Sequence, residues 1–307
     1  MASFTTRIKD EVTKIETLKP ESLAEVCAYI KYNGNIKDDK LTLYIENASV
    51  ARRMFNLLKR LYKINIKLTI RTQKRFAVKT MYILDIVEKL DEIMNDVDLC
   101  VRQIREYSET ERASFIKGIF LANGSINDPS KSKYHLELLI VDESLANLAN
   151  DLLLSLNFYS KILKRDKGYM VYIKASEEIS DFIKMLGAIN ALFYYEDIRI
   201  YRDHKNMVNR LNNCEQANVE KSLKTCNEQL ANIEYLKEND LLTLLDDKTG
   251  IVIDYRVRYP ETTMNELAEI ISLETDYKIT KSGINHHFRK IKDLVLKHQN
   301  TVEDNNL

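Results

Sequence analysis

A helix predicted near the C-terminus carries the side chains with the clearest chemical use. Arginine and asparagine can form paired hydrogen bonds with guanine and adenine edges, and lysine neutralises phosphate. Thr280 can cap this helix. Each residue of a helix turns by about 100° around the axis, and one set of apolar residues lies within about 60° around that axis. Such a set predicts a buried stripe. The stripe consists of Ile284, Phe288, Ile291 and Val295. The predicted nucleic-acid contacts on the other side are Lys281, Ser282, Asn285, His286, Arg289, Lys290 and Lys292.

A second helix is predicted before this one. Thr262 or Thr263 can cap it, and a loop from Ser272 to Ile279 separates it from the C-terminal helix. Two helices with a polar, basic outer face predict a helix-turn-helix over about residues 263–298. The loop is longer than the roughly 3–4 residues of a tight turn. A surface helix in an α-helical bundle is the alternative interpretation.

The common enzyme and metal motifs are missing from the sequence. It contains no GxGxxG, no P-loop, no GxSxG and no HExxH. The closest cysteines are twelve residues apart, so no CxxC pair is present. We therefore expect no metal, no cofactor and no disulfide framework. The cysteines are Cys27, Cys100, Cys214 and Cys226.

A basic segment runs from Arg52 to Lys79, with ten Lys or Arg residues and no Asp or Glu. Lys67 and Arg71 alternate with apolar residues, which predicts a strand with one basic face. That face either contacts phosphates or is solvated, or it pairs with the acidic helix predicted over residues 85–98. The candidate phosphate contacts are Lys67, Arg71, Lys74 and Arg75, with Arg202, Lys205 and Arg210 from a later polar stretch.

The overall composition limits the class of protein. The chain has 307 residues, 45% of them hydrophobic, with 46 Lys+Arg and 46 Asp+Glu. The length predicts two or three domains, and the balanced charge excludes a polybasic DNA condenser. No apolar run approaches the roughly 18 residues of a membrane span, and charges interrupt the N-terminal segment where a signal peptide is apolar. We therefore expect a cytoplasmic protein with no membrane partner.

An internal repeat is visible in the N-terminal part of the chain. Residues 23–36 match residues 113–126 at an offset of 90, which aligns Asn33-Gly34 with Asn123-Gly124. Each copy predicts a helix ending at Asn-Gly, a strand, an amphipathic helix, two strands and a shorter helix. We attribute each helix end to a left-handed glycine. The small residues that predict close contact between the two Asn-Gly helices are Ala24, Ala28, Gly118 and Ala122.

The segment IKGIFLANG, Ile116 to Gly124, resembles the LAGLIDADG motif of homing endonucleases. The resemblance implies two helices packed at a pseudo-two-fold axis, with flanking sheets that form a saddle over DNA. In that family an acidic residue before each glycine binds the catalytic metals, whereas Asn33 and Asn123 stand at those positions here. Neutral amides cannot supply the charge of a two-metal site, so we expect no catalytic residue. We interpret Asp38 and Asp128 as turn residues.

Further resemblance extends over nearly the whole chain. The degenerate repeat, NRLNNCEQAN at residues 209–218 and KSGINHHFRKI at residues 281–291 together resemble the WhiA family of bacterial proteins. This resemblance implies a DNA-binding transcriptional regulator, associated with sporulation in some bacteria and with cell division and chromosome segregation in others. It implies double-stranded DNA as partner, RNA polymerase or another regulator as a candidate protein partner, and a nucleoid-associated location.

The sequence thus predicts an α+β fold class. We expect a LAGLIDADG-like α/β repeat domain at 1–200, with repeats over about 20–98 and 110–190, a connecting segment at 201–218, and an all-α helix-turn-helix domain at 219–307 whose long first helix begins near Asn218. The predicted function is non-catalytic DNA binding. A metal-dependent LAGLIDADG endonuclease and a protein–protein adaptor that does not bind DNA are the alternatives. Carboxylates converging at the two helix ends would favour the endonuclease. Absence of salt-dependent DNA binding would favour the adaptor.

Overall fold

The computed structural model describes residues 3–73 and 79–305, and the chain divides into two compact units between Asp203 and His204. The first unit contains both copies of the repeat. Its helices are α1 (Phe4–Val12), α2 (Lys19–Asn33), α3 (Ala48–Tyr62), α4 (Leu90–Gln103), α5 (Glu109–Asn123), α6 (Glu143–Ser155) and α7 (Ser176–Leu186). Its strands are β1 (Gly34–Lys37), β2 (Lys40–Ile45), β3 (Lys67–Gln73), β4 (Lys79–Ile86), β5 (Gly124–Ile126), β6 (Leu136–Ile140), β7 (Lys161–Arg165) and β8 (Gly168–Ile173).

Each copy of the repeat folds into one four-stranded antiparallel sheet. The strand order is β1-β2-β4-β3 in the first copy and β5-β6-β8-β7 in the second, so the two copies share one topology. The sheets bury one face, as the period of two requires: Leu41, Leu43 and Ile45 of β2 are buried, while Tyr44 is exposed. The predicted repeat and the predicted α+β fold class are confirmed.

Helices α2 and α5 pack directly against each other at the centre of the first unit. A Cβ atom added to Gly118 would overlap the carbonyl oxygen of Glu25 and lie 2.8 Å from Cβ of Ala28. Of the predicted small residues, Gly118 and Ala28 therefore allow the two backbones to approach closely. The same contact buries Glu25, which receives two hydrogen bonds from Arg53, at 2.5 and 2.7 Å, and lies 3.4 Å from Nζ of Lys117.

The predicted reason for the Asn-Gly helix ends was wrong. Gly34 has φ −71° and ψ 137°, and Gly124 has φ −84° and ψ 148°, so both are extended rather than left-handed. Each glycine is the first residue of a strand, and the chain passes from helix to strand with no loop. A Cβ on Gly34 would lie 2.5 Å from the carbonyl oxygen of Ile30, so close approach to the last helical turn requires glycine there.

The two aspartates after the glycines are turn residues, as predicted. Asp38 and Asp39 have φ values of 50° and 53° and connect the paired residues Lys37 and Lys40, which is the geometry of a two-residue hairpin turn. In the second copy, Asp128 accepts a hydrogen bond from the amide of Ser130 at 2.9 Å. Asp38 therefore contributes its backbone conformation to a turn, whereas the Asp128 carboxylate stabilises its turn directly and also accepts a hydrogen bond from the hydroxyl of Tyr194 at 3.1 Å.

The second unit is helical. Helix α8 (Ile189–Glu238) begins in the first unit and continues into the second, where α9 (Asp247–Arg258), α10 (Met264–Glu274) and α11 (Lys281–Asn305) follow a short 3-10 helix at Leu241–Leu244. Thr263 caps α10 with a capping box to Glu266. Apolar residues from all these α-helices form one core. Among the described residues, no helix combines the length and apolar character needed to cross a bilayer.

The expected start of the long helix near Asn218 was wrong, because α8 already begins at Ile189. The polar, basic character of residues 201–218 predicts a connecting segment, and these residues also lack a buried stripe in the structure. They contain neither glycine nor proline, and Arg210, Leu211 and Gln216 are good helix formers. Helix propensity, rather than burial of one face, therefore accounts for the helical conformation of residues 201–218.

Candidate nucleic-acid interface

The apolar side chains of α11 fix its rotation. Oγ1 of Thr280 accepts a hydrogen bond from the amide of Gly283 at 3.4 Å, so Thr280 caps the helix as predicted. The stripe residues have exposed fractions between 0% and 7%. They pack in one core with Leu267 and Ile271 of α10. The polar side of α11 consequently faces away from this core.

All the contact residues predicted on α11 are exposed. Lys290 lies 3.4 Å from the carboxylate of Asp246, in an exposed pair that solvent weakens. The other side chains of the set make no hydrogen bond or ion pair within the part of the chain that the structure describes. They are Lys281, Ser282, Asn285, His286, Arg289 and Lys292. One helix face therefore presents unpaired donors, including the guanidinium and amide that suit base edges.

His287 supports this helix from the inside, and the sequence interpretation missed it. It is 6% exposed, with Nδ1 2.8 Å from Oγ1 of Thr249 and Nε2 2.9 Å from the hydroxyl of Tyr277. The Thr249 hydroxyl donates to Asp246, so Nδ1 of His287 donates to Thr249 and Nε2 accepts from Tyr277. Burial lowers the pKa of His287 below its ordinary value of 6.5, which keeps the ring neutral at pH 7.

Acidification is expected to destabilise the helical unit through His287. Because its folded pKa is lower than the unfolded value of about 6.5, the unfolded state binds the proton first, and stability falls as the pH drops below that value. The slope for one proton is at most about 1.4 kcal/mol per pH unit. His287→Gln, which does not titrate, should flatten this fall in thermal denaturation between about pH 7 and about pH 5.

The exposed neighbour His286 provides the matched control for that experiment. His286→Gln replaces the exposed ring and leaves the buried one in place, so the pH dependence of its stability should follow that of the parent. An identical loss of stability on acidification in His287→Gln and in the parent would contradict the assigned role of His287.

The two Asn-Gly helix ends line one cavity of about 450 Å³ in the repeat unit. Asn33 and Asn123 both line it, and Nδ2 of Asn123 donates to the carbonyl oxygen of Tyr32 at 3.0 Å. Lys9 of α1 lines the same cavity, and its Nζ donates to the carbonyl oxygen of Leu121 at 3.0 Å. The structure thus brings the two amides together as the resemblance implies, and adds a lysine that the sequence interpretation did not include.

The charges in this cavity do not suit a divalent metal. Burial lowers the pKa of Lys9 to about 8, with Glu46 acting in the opposite direction, so the amine is largely protonated at pH 7. An ammonium group repels a metal ion, and neutral amides do not compensate for it. Glu46 is the one carboxylate among the cavity-lining residues that the structure describes. Within residues 3–73 and 79–305, no three His, Cys, Asp or Glu side chains are grouped to hold a metal.

The predicted basic face lies on strand β3. Lys67 and Arg71 are exposed and point to the same side of the strand. In the sheet register, Lys67 is opposite Asp85 of β4. Oδ1 of Asp85 lies 3.5 Å from Nζ of Lys40. Among the described residues, neither Lys67 nor Arg71 forms an ion pair with the acidic helix α4, so that helix does not neutralise this face. Lys74 and Arg75 lie outside the described residues.

The basic residues predicted on the connecting segment differ from one another. Arg202 donates to the carbonyl oxygen of Ser132 at 2.9 Å, and its guanidinium lies 5.2 Å from the ring of Tyr134. It is therefore engaged within the repeat unit. Lys205 and Arg210 are exposed, and their side chains have no hydrogen bond or ion pair within the described part of the chain.

These two units define a class: a LAGLIDADG-like repeat domain with amides at the acidic positions, joined to a helix-turn-helix domain. Family models match the chain as the WhiA N-terminal LAGLIDADG-like domain over residues 19–100, the WhiA LAGLIDADG-like domain over residues 112–205 and the WhiA C-terminal HTH domain over residues 208–295. A relative from Bacillus cytotoxicus, named "Probable cell division protein WhiA", is 38% identical over 96% of both chains. The chain belongs to the WhiA family.

Other members of the family agree with this assignment. A Bacillus thuringiensis protein of the same name is 38% identical over 310 residues, which covers 97% of each chain. The crystal structure of full-length WhiA from Thermotoga maritima matches 96% of this chain and 99% of its own, with a TM-score of 0.57 and 23% identity. The latter comparison supports the fold. The helix-turn-helix domain and the named relatives identify a DNA-binding regulator.

Proposed function

We propose that this chain is a non-catalytic transcriptional regulator that binds double-stranded DNA and acts in cell division and chromosome segregation. The observation that carries the proposal is the outer face of α11, which presents unpaired lysine, asparagine and arginine donors. The buried stripe on the other side fixes the rotation of this helix. The name of the relatives supports the role in cell division. The role in chromosome segregation, with sporulation in some relatives, follows from the family resemblance.

The proposal divides the work between the predicted domains. Residues 219–307 read the DNA sequence, residues 201–218 connect, and residues 1–200 form a repeat domain that does not cleave. The predicted contacts on α11 are the specificity residues, because guanidinium and amide groups can distinguish base edges. RNA polymerase or another regulator is the proposed protein partner, and the nucleoid is the proposed location.

Absence of cleavage is supported by the cavity at the two helix ends. A cleaving enzyme of the LAGLIDADG type uses two carboxylates to bind metals, whereas Asn33, Asn123 and the half-buried Lys9 line this cavity. The amides carry no charge, and the ammonium group has the wrong sign for a metal site. We therefore propose that the repeat domain contributes a binding surface and no chemical step.

The basic face of β3 is proposed as part of that surface. If Lys67 and Arg71 contact phosphates, the Lys67→Ala, Arg71→Ala double variant should have a lower affinity for DNA, reduced by a similar factor for every sequence. The slope of log K against log salt concentration should fall by about 0.9 for each lost contact. Fluorescence anisotropy with labelled duplex DNA at several salt concentrations measures both quantities.

A matched double variant separates a specific contact from a general change in charge. Lys19→Ala with Lys184→Ala removes the same charge from exposed positions on helices α2 and α7. Its salt slope should equal that of the parent. An unchanged slope in the β3 variant would show that the face is only solvated. If the parent itself shows no salt-dependent DNA binding, the adaptor alternative replaces the proposed function.

A further inference from the structure

Arg256 of α9 is a buried cation without an anionic partner in the described structure. It is 0% exposed. Its Nη1 donates to the carbonyl oxygens of Thr262, at 2.7 Å, and Tyr259, at 3.4 Å. Its Nε and Nη2 have no hydrogen-bond partner among the described residues. A buried guanidinium with unpaired donors is unfavourable, so a compensating acceptor is expected beside it.

A cavity of about 420 Å³ adjoins Arg256 within the helical unit. Lys221 of α8 and Lys281, the first residue of α11, are exposed residues that also line it. None of the described residues that line the cavity is Asp or Glu. The lining supplies further hydrogen-bond donors from the side chains of Asn218, Ser222, Thr225, Thr263 and Asn265. The cavity therefore has positive charge and many donors, and no carboxylate to balance them.

The start of α10 adds to this positive potential. Thr263 is its N-cap, and Met264 and Asn265, in its first turn, line the cavity. The amides of a first helical turn have no partner within the helix, and they carry the positive end of the helix dipole. The carboxylate of Glu266 accepts a hydrogen bond from the amide of Thr263 at 2.8 Å, so it is engaged in the cap.

We propose that this cavity binds a phosphate group, with Arg256 at its base and Lys221 and Lys281 at its rim. Phosphate offers several acceptor oxygens and a charge that matches guanidinium, ammonium and helix N-terminal groups together. The phosphate belongs either to the DNA backbone or to a phosphorylated compound in solution. The first source rests on the proposed DNA binding, whereas the second does not.

The first arm of the test uses the full chain and inorganic phosphate without DNA. If the source is a free compound, isothermal titration should show saturable binding, and Lys221→Gln should weaken it about tenfold, the effect of losing one charge-assisted contact. Lys224 is exposed on the same helix and does not line the cavity, so Lys224→Gln should bind phosphate as the parent does.

The second arm measures binding of a mapped genomic site. If the source is the DNA backbone, inorganic phosphate binds undetectably, while Lys221→Gln weakens DNA binding about tenfold and lowers the salt slope by about 0.9. Lys224→Gln should leave both quantities unchanged. Failure of the parent to bind DNA would remove the proposed function, but the first arm would still decide whether the cavity binds phosphate.

Arg256→Met provides an independent check. This variant keeps an unbranched side chain and removes the unpaired charge, so it should abolish the affected binding while the circular dichroism signal of the helices is retained. If Arg256→Met does not fold, Lys221→Gln still decides. The proposal is overturned if Lys221→Gln matches Lys224→Gln in both arms.

Discussion

Replacing Glu25 with alanine should lower the free energy of unfolding of the repeat unit by about 3–5 kcal/mol. Glu25 is 0% exposed and lies at the contact between α2 and α5. Its carboxylate receives hydrogen bonds from Nε and Nη2 of Arg53 and lies 3.4 Å from Nζ of Lys117. Its removal leaves two buried cations without an anion, which is more costly than the loss of a hydrogen bond alone.

A partly exposed ion pair between α2 and α4 offers the control for Glu25. Lys31 of α2 lies 3.2 Å from Asp98, with exposed side-chain fractions of 32% and 48%. Because solvent screens this pair, Asp98→Ala should cost only about 0–1 kcal/mol. Urea denaturation of the full chain, with the transition of the repeat unit analysed separately, measures both variants. A Glu25→Ala protein as stable as the Asp98→Ala protein would contradict the role assigned to Glu25 as the shared anion of Arg53 and Lys117.

Replacing Arg289 with alanine should weaken binding to a specific DNA site by about 1–3 kcal/mol, with a smaller loss on random DNA. Arg289 is exposed on the side of α11 opposite the buried stripe, and its guanidinium has no partner among the described residues. A guanidinium that reads a base contributes to discrimination, whereas one that contacts only phosphate weakens binding uniformly. Comparison of the two DNA substrates separates these cases.

Lys297 provides the control on the same helix. It is also exposed, but it lies about 12 Å farther along α11, at 1.5 Å per residue. Lys297→Ala removes the same charge and should preserve discrimination between specific and random DNA. Circular dichroism confirms that each variant keeps its helices. Folded Arg289→Ala and Asn285→Ala proteins that both bind the best site like the parent would assign α11 to a helical bundle.

The sequence predicted the parts of the fold that repeat or alternate. The alignment of Asn33-Gly34 with Asn123-Gly124 located the ends of both central helices, because the two sequence copies form the same fold. The spacing of Ile284 and its apolar partners predicted which face of α11 is exposed. His287 could have been found from the same pattern, since it stands three residues after Ile284 and four before Ile291.

Other features depend on contacts between distant parts of the chain. Lys9 bonds to Leu121, 112 residues away, and it lies on a helix outside the repeat. The unpaired donors of Arg256 are visible only once burial is known, because an arginine in an amphipathic helix is ordinarily exposed. The role of Gly34 differs from the predicted one because the nearby carbonyl oxygen of Ile30, rather than φ, excludes a Cβ.

The most direct test of the account compares the parent with an Asn285→Ala, Arg289→Ala double variant on a mapped genomic site in the presence of Mg²⁺. One gel assay reports both the bound fraction and the integrity of each DNA strand. The account predicts that the parent binds the site and leaves both strands intact, and that the folded double variant loses specific binding. Equal binding by the two proteins, or metal-dependent cleavage by the parent, would contradict it.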